Sequence, residues 1–160
     1  MCWTEPRPLE PALTLAPHVL AEILDGGQAF RWQRLDDGAA WQGQWRGCLA
    51  RLRLDPAHRL HWSAPEALAQ AVARELPAYL AAPVDFAALA DQLPWRGDPH
   101  LRRALEGWPG LRLLRQPLGE TLLAFICSSN KGIPHIRQML AALARDFGET
   151  LAPGHHALPD

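Results

Sequence analysis

Hydrophobic and polar residues alternate from Ala29 onward, with Phe30 and Trp32 on one side and Arg31 and Gln33 on the other, the period-two pattern of a half-buried strand. Asp36-Asp37-Gly38 supplies a hairpin turn. AAWQGQW follows, with Trp41 and Trp45 on one face, and Arg46-Gly47 turns the chain again. CLARLRL then sets Cys48, Ala50, Leu52 and Leu54 against Leu49, Arg51 and Arg53. After a turn at Asp55-Pro56, RLHW aligns Leu60 with Trp62. Four short strands joined by tight turns predict an antiparallel meander with one apolar face on a core and an Arg- and Gln-rich face opposite. Residues 1–12 carry three prolines and little pattern, and read as an arm.

The periodicity changes at Ser63. Pro65 suits a first helical turn, and Leu68, Val72 and Leu76 recur every four residues. Residues 83–109 read as short helical pieces punctuated by Pro83, Pro94, Pro99 and Pro109. Pro117 opens an apolar helix, LGETLLAFIC, and Ser128 to Gly132 form a polar corner. Beyond it Ile133, Ile136, Met139, Leu140, Leu143 and Phe147 fall at helical spacing, with Gly148 where a C-terminal cap belongs. From Gly148 to Asp160 the chain reads as loop with no closing element.

Composition narrows the class. The 160 residues are 48% hydrophobic and 21% charged, which suits a packed core rather than disorder. No apolar run reaches bilayer length and the N-terminus lacks a basic-then-apolar layout, so a cytoplasmic protein without a membrane partner is expected. Cys2, Cys48 and Cys127 are odd in number and form no CxxC; they read as reduced thiols. The His58/His61 and His155/His156 pairs lack further ligands at metal spacing, so no metal is expected. The net charge of −1 does not itself point to nucleic acid, yet residues 31–59 carry six Arg against three Asp. Such a patch can hold phosphates, or be a solvated surface.

Three segments go further. Gly26-Gly27-Gln28-Ala29-Phe30-Arg31-Trp32 resembles the GQ-x-FRW signature of 8-oxoguanine DNA glycosylases. Gly110-Leu111-Arg112-Leu113-Leu114-Arg115-Gln116 is similar to the stretch leading into that family's first core helix, and Phe125-Ile126-Cys127-Ser128-Ser129-Asn130 to its FICSSN motif. The resemblance runs from about Leu13 to the C-terminus. It implies an α+β fold: an arm (1–12), an N-terminal antiparallel sheet with helices like half of a TATA-binding protein (13–109), and the first helices of an all-α helix-hairpin-helix domain (110–160). It also implies a partner, double-stranded DNA containing 8-oxoguanine, and no cofactor. The family extrudes the damaged base because the glycosidic bond is not reachable inside the stack. A lysine amine then displaces the base and the Schiff base permits strand cleavage.

Carried over residue by residue, the resemblance places the backbone carbonyl of Gly27 on N7–H of 8-oxoguanine, where normal guanine offers only a bare acceptor. Gly26-Gly27 can equally be read as a turn into the strand. Gln28 falls on the lesion side of the same loop. Asn130 matches the residue that fills the gap left by the base, and also stands where a helix cap is common. Lys131 is read as a phosphate contact. His135 stands where the family has an arginine facing the opposite cytosine, and a neutral imidazole lacks that fork. Phe30 is read as core, Arg31 as a brace for the loop, and Phe125 and Cys127 as core or pocket floor.

The family's catalytic lysine belongs to a later LPGVG-x-K stretch that these residues do not include, and Lys131 is the only lysine. The chain alone is therefore expected to be inactive, with the missing catalytic half in a longer or a separate chain. A non-catalytic damaged-DNA-binding or partner-docking module and a purely structural α+β domain stand as alternatives. The helical face from Ile133 to Phe147 is expected to be open.

Overall fold

The computed structural model describes residues 1–36 and 38–159; Asp37, within the expected first hairpin turn, lies outside them. The chain runs β1 (Arg7–Pro8), α1 (Pro17–Asp25), β2 (Trp32–Arg34), β3 (Ala40–Trp45), β4 (Cys48–Leu54) and β5 (Leu60–Ser63). It continues through α2 (Ala69–Tyr79), α3 (Phe86–Asp91), α4 (Pro99–Gly107), α5 (Leu118–Cys127) and α6 (Ile133–Phe147), and ends in β6 (Thr150–Ala152) and β7 (His155–His156). The fold is α+β. The main sheet is antiparallel in the order β1-β5-β4-β3-β2, so the expected meander is present. The proline-rich N-terminus adds an edge strand to it: Arg7 pairs with Trp62 and Pro8 with His61. Proline is tolerated there because an edge strand has no second neighbour demanding its N–H, and Leu9 beyond it is buried.

Tight turns fix the register. Arg46 takes a left-handed φ of 48° ahead of Gly47, closing a two-residue hairpin at the Trp45–Cys48 pair. Between β4 and β5, Asp55 Oδ1 accepts from the N–H groups of Ala57 (2.8 Å) and Arg59 (2.9 Å), and Oδ2 accepts from Arg59 Nε at 2.9 Å. These bonds, the Arg59 N–H foremost, hold the Asp55 carboxyl at about 2, below its ordinary 3.8. The folded value is depressed, so the turn's contribution is full above the ordinary value and is lost as pH falls through about 2. Asp55→Asn is expected to lower stability at pH 6 and to flatten the acid limb of a stability-versus-pH curve; an unchanged acid limb contradicts this account of the turn.

One sheet face carries Trp32, Trp41, Trp45, Ala50, Leu52 and Trp62, all buried with Val19, Ile23, Leu24, Val72, Leu76 and Tyr79 of α1 and α2 in one cluster. Each large apolar side chain buried there contributes on the order of 1.5–3 kcal/mol. Trp32 is the keystone. Its indole N–H donates to the Tyr79 hydroxyl at 2.9 Å, and its ring stacks on Trp45 with centroids 5.9 Å apart. In register it faces Gly43. The strand expected from Ala29 begins only at Trp32. Phe30 therefore does not join Trp32; it packs, half-buried, on a second cluster of Cys127, Ile136, Leu140, Ala144 and Leu158.

α5 and α6 form as expected, with Pro117 and Gly132 at their N-terminal caps. The tail does not remain loop. Pro153-Gly154 turns it into a hairpin, Gly154 taking a φ of 77°, and Ala157 and Leu158 are buried. The hairpin meets the polar sheet face, where Arg31 donates to the His156 carbonyl and Gln44 meets His155 Nδ1 at 3.3 Å. That end of the second face is thus covered, and Leu49 on it is fully buried rather than facing solvent.

Candidate nucleic-acid interface

The loop after α1 and the corner before α6 are neighbours. Gly27 adopts a φ of 100°, the left-handed side that glycine reaches without strain. A Cβ placed on it would meet only Ile133 Cδ1, at 3.8 Å. Gly27 is therefore required by the backbone conformation rather than by crowding within the chain. Ile133 opens α6 directly after the corner, in which Asn130 takes a φ of 55°. Among non-glycine residues Asn tolerates this region best, so the corner conformation and the exposed amide are compatible in one residue. Asp25, at the end of α1, pairs with Arg137 on α6 and fastens the two segments. Gly27 is half-exposed, and Asn130, Lys131 and His135 are exposed.

Gln28 departs from its expected role. Its Nε2 donates to the Arg112 carbonyl at 3.0 Å and its Oε1 accepts from the Leu114 N–H at 2.9 Å. The Gln116 amide closes the clamp on the Gln28 carbonyl. The side chain thus stitches the Gly27 loop to the 110–116 stretch instead of reaching outward. Both segments singled out in the sequence meet here, through partners more than eighty residues apart that no local pattern reveals.

Arg31 ties its loop down through its guanidinium. One guanidinium nitrogen donates to Gln44 Oε1 at 3.3 Å and to the His156 carbonyl, tying the loop to the sheet and to the C-terminal hairpin. Burial pulls its pKa below the ordinary value, against Glu120 and Tyr79, which hold it up. Cys127 is buried. Phe125 is not: 75% of it is exposed, along with Leu118, Leu122 and Ile126. These four positions form a stripe along α5 at helical spacing. The open apolar face therefore lies chiefly on α5, whereas α6 buries Ile136, Leu140 and Ala144 and exposes only Ile133, Met139 and Phe147 among its large apolar residues.

Known proteins share this fold. A structure of MBOgg1 in complex with a low-affinity DNA ligand superposes over 100% of this chain with a TM-score of 0.76 and 24% identity, covering 55% of that chain. The apo form of Clostridium acetobutylicum 8-oxoguanine glycosylase/lyase matches over 88% of this chain and 48% of its own, at 25% identity and a TM-score of 0.74. The same enzyme with double-stranded DNA containing cytosine opposite 8-oxoguanine gives a TM-score of 0.72. The N-glycosylase/DNA lyase of Saccharomyces cerevisiae is 39% identical over 54 residues, 31% of this chain and 14% of that protein. The chain spans about half the length of the solved structures it matches. The model of the 8-oxoguanine DNA glycosylase N-terminal domain matches residues 12–122, which contain β2 to β5 of the main sheet, the Gln28 clamp and the stretch it holds. With more than half of its residues in that match, the chain belongs to the 8-oxoguanine DNA glycosylase family.

Proposed function

We propose that this chain is the lesion-contacting N-terminal part of an 8-oxoguanine DNA glycosylase acting on duplex DNA, and that its 160 residues alone bind without catalysing. The observation that carries the reading is the adjacency of Gly27, in its left-handed conformation, to Ile133 just past the Asn130 corner. A base extruded at this surface meets the Gly27 carbonyl, which accepts from N7–H of 8-oxoguanine and finds no donor on normal guanine. The Asn130 amide, a donor and an acceptor together, fills the space the base leaves. Lys131 contacts a phosphate and fixes register without reading sequence. His135 faces the opposite strand with a single imidazole rather than an arginine fork, so discrimination of the opposite base is weak.

Solved relatives that hold DNA, one with cytosine opposite 8-oxoguanine, support DNA as the ligand. The exposed stripe of Leu118, Leu122, Phe125 and Ile126 favours a further element of the same reading. The helices that bring the catalytic lysine cover α5, from a longer polypeptide or from a second chain.

Borohydride trapping tests the catalytic half of the proposal. An amine nucleophile is required for the Schiff base, and arginine cannot supply one. With an 8-oxoguanine duplex and borohydride, the 160-residue chain is expected to give no covalent adduct above that of an unrelated protein. An adduct that disappears in Lys131→Gln contradicts the proposal and makes Lys131 a nucleophile.

A further inference from the structure

A second site lies away from the Gly27 loop. The polar sheet face, α6 and the β6–β7 hairpin enclose a cleft of about 520 Å³, within the roughly 300–1,000 Å³ of small-ligand sites. Its floor is Gln42 and Gln44 with Arg31; Arg137 and Arg145 project from α6, and His155 and His156 from the hairpin. Among the described residues lining it there is no carboxylate. We propose that this cleft is a binding site for a phosphate group.

The first argument is unmet hydrogen bonding. Arg31 Nη2 is satisfied by Gln44 and the His156 carbonyl, while Arg31 Nη1 and Arg137 Nε are buried with no acceptor in the protein. A buried guanidinium N–H without an acceptor is costly, and both side chains line the cleft, where a phosphate oxygen is the acceptor a guanidinium pairs with most strongly once the side chain turns toward it. The second argument is the local field. Glu120 lies near Arg31, Asp25 pairs with Arg137, and Asp146 pairs with Arg145. Each of those carboxylates is absent from the cleft lining. At His155 the neighbouring charges are cationic: burial first, then Arg51, His156 and Arg31, hold it below its ordinary value. An anion seated there relieves that repulsion. Forked guanidiniums and glutamine amides together suit the several oxygens of a phosphate better than a single point acceptor.

The phosphate has two sources, the phosphodiester backbone of DNA or the monoester of a free nucleotide. The site is independent of the lesion reading, because neither Gly27 nor Asn130 lines it. The test is NMR of the 160-residue chain at fixed ionic strength, titrated separately with inorganic phosphate, deoxyguanosine 5′-monophosphate and a short undamaged duplex. Inorganic phosphate is expected to shift the Gln42 and Gln44 side-chain amides saturably and to raise the titration midpoint of His155. Arg145→Gln, at an exposed position, is expected to weaken this binding about tenfold without changing the melting temperature. A response to the duplex as well assigns the DNA backbone as the source; a response to the monophosphate but not the duplex assigns a free nucleotide. Inorganic phosphate that leaves Gln44 and His155 unmoved overturns the proposal. So does a response of undiminished affinity in Arg145→Gln.

Discussion

Gly43→Ala is expected to destabilise the chain by about 2–4 kcal/mol, one of two large effects that follow from the packing. An added Cβ overlaps the fused ring of Trp32, its cross-strand partner. Trp32 is fully buried and cannot swing away, because its indole N–H is held by Tyr79 and its ring by Trp45. Overpacking a close-packed site costs roughly 1–3 kcal/mol, and a displaced Trp32 also forfeits a buried hydrogen bond of about 1 kcal/mol. Urea unfolding followed by tryptophan fluorescence measures this directly. A variant within about 1 kcal/mol of the parent means that Trp32 is not locked over Gly43.

Gln28→Ala is expected to cost about 2–4 kcal/mol, although Gln28 is only half-buried. The substitution removes the acceptor of the Leu114 N–H and the donor to the Arg112 carbonyl, and both residues are buried. Each buried polar group left unpaired costs roughly 1–3 kcal/mol. Gln28→Glu separates the two bonds, since it keeps the acceptor for Leu114 and sets an oxygen against the Arg112 carbonyl. It is expected to be destabilised as well, with thermal denaturation as the measurement. If both variants melt with the parent, the clamp does not hold the Gly27 loop. A DNA-facing role for Gln28 then returns.

The parts of the fold legible in the sequence are those governed by local pattern. Turn residues at Asp36, Arg46-Gly47 and Asp55, with alternation between them, placed β3, β4 and β5 because a half-buried sheet imposes period two. The paired apolar positions Val19-Leu20 and Ile23-Leu24 after Pro17 carry the same kind of signal for α1. Long-range pairing was not legible. Arg7-Pro8 has no strand pattern and becomes β1 only because β5 offers a free edge. The β6–β7 hairpin did leave a signal, the Pro153-Gly154 dipeptide, but two histidines and short strands gave no alternation. The helical period of α5 marks a stripe from Leu118 to Ile126 without saying whether anything covers it, so Phe125 reads as core or pocket floor in the sequence and is exposed in the fold.

The site was legible in a similar proportion. Motif spacing singled out Gly27, Asn130 and Arg31, and the fold brings the Gly27 loop against Ile133, just past the Asn130 corner. The partners of Gln28 lie 84 and 86 residues along the chain, beyond any local rule. Residue type alone left an outward role and an inward one open. Buried backbone groups on the facing segment decided it, since they must be paired.

The direct measurement of the central claim is amide NMR of the chain titrated with two duplexes that differ only in 8-oxoguanine against guanine. The lesion duplex is expected to shift the Gly27 and Asn130 signals together, at one midpoint, and the undamaged duplex to shift them far less. Equal shifts with both duplexes, or two residues that respond at unrelated midpoints, would show that the α1 loop and the α6 corner do not receive a damaged base as one surface.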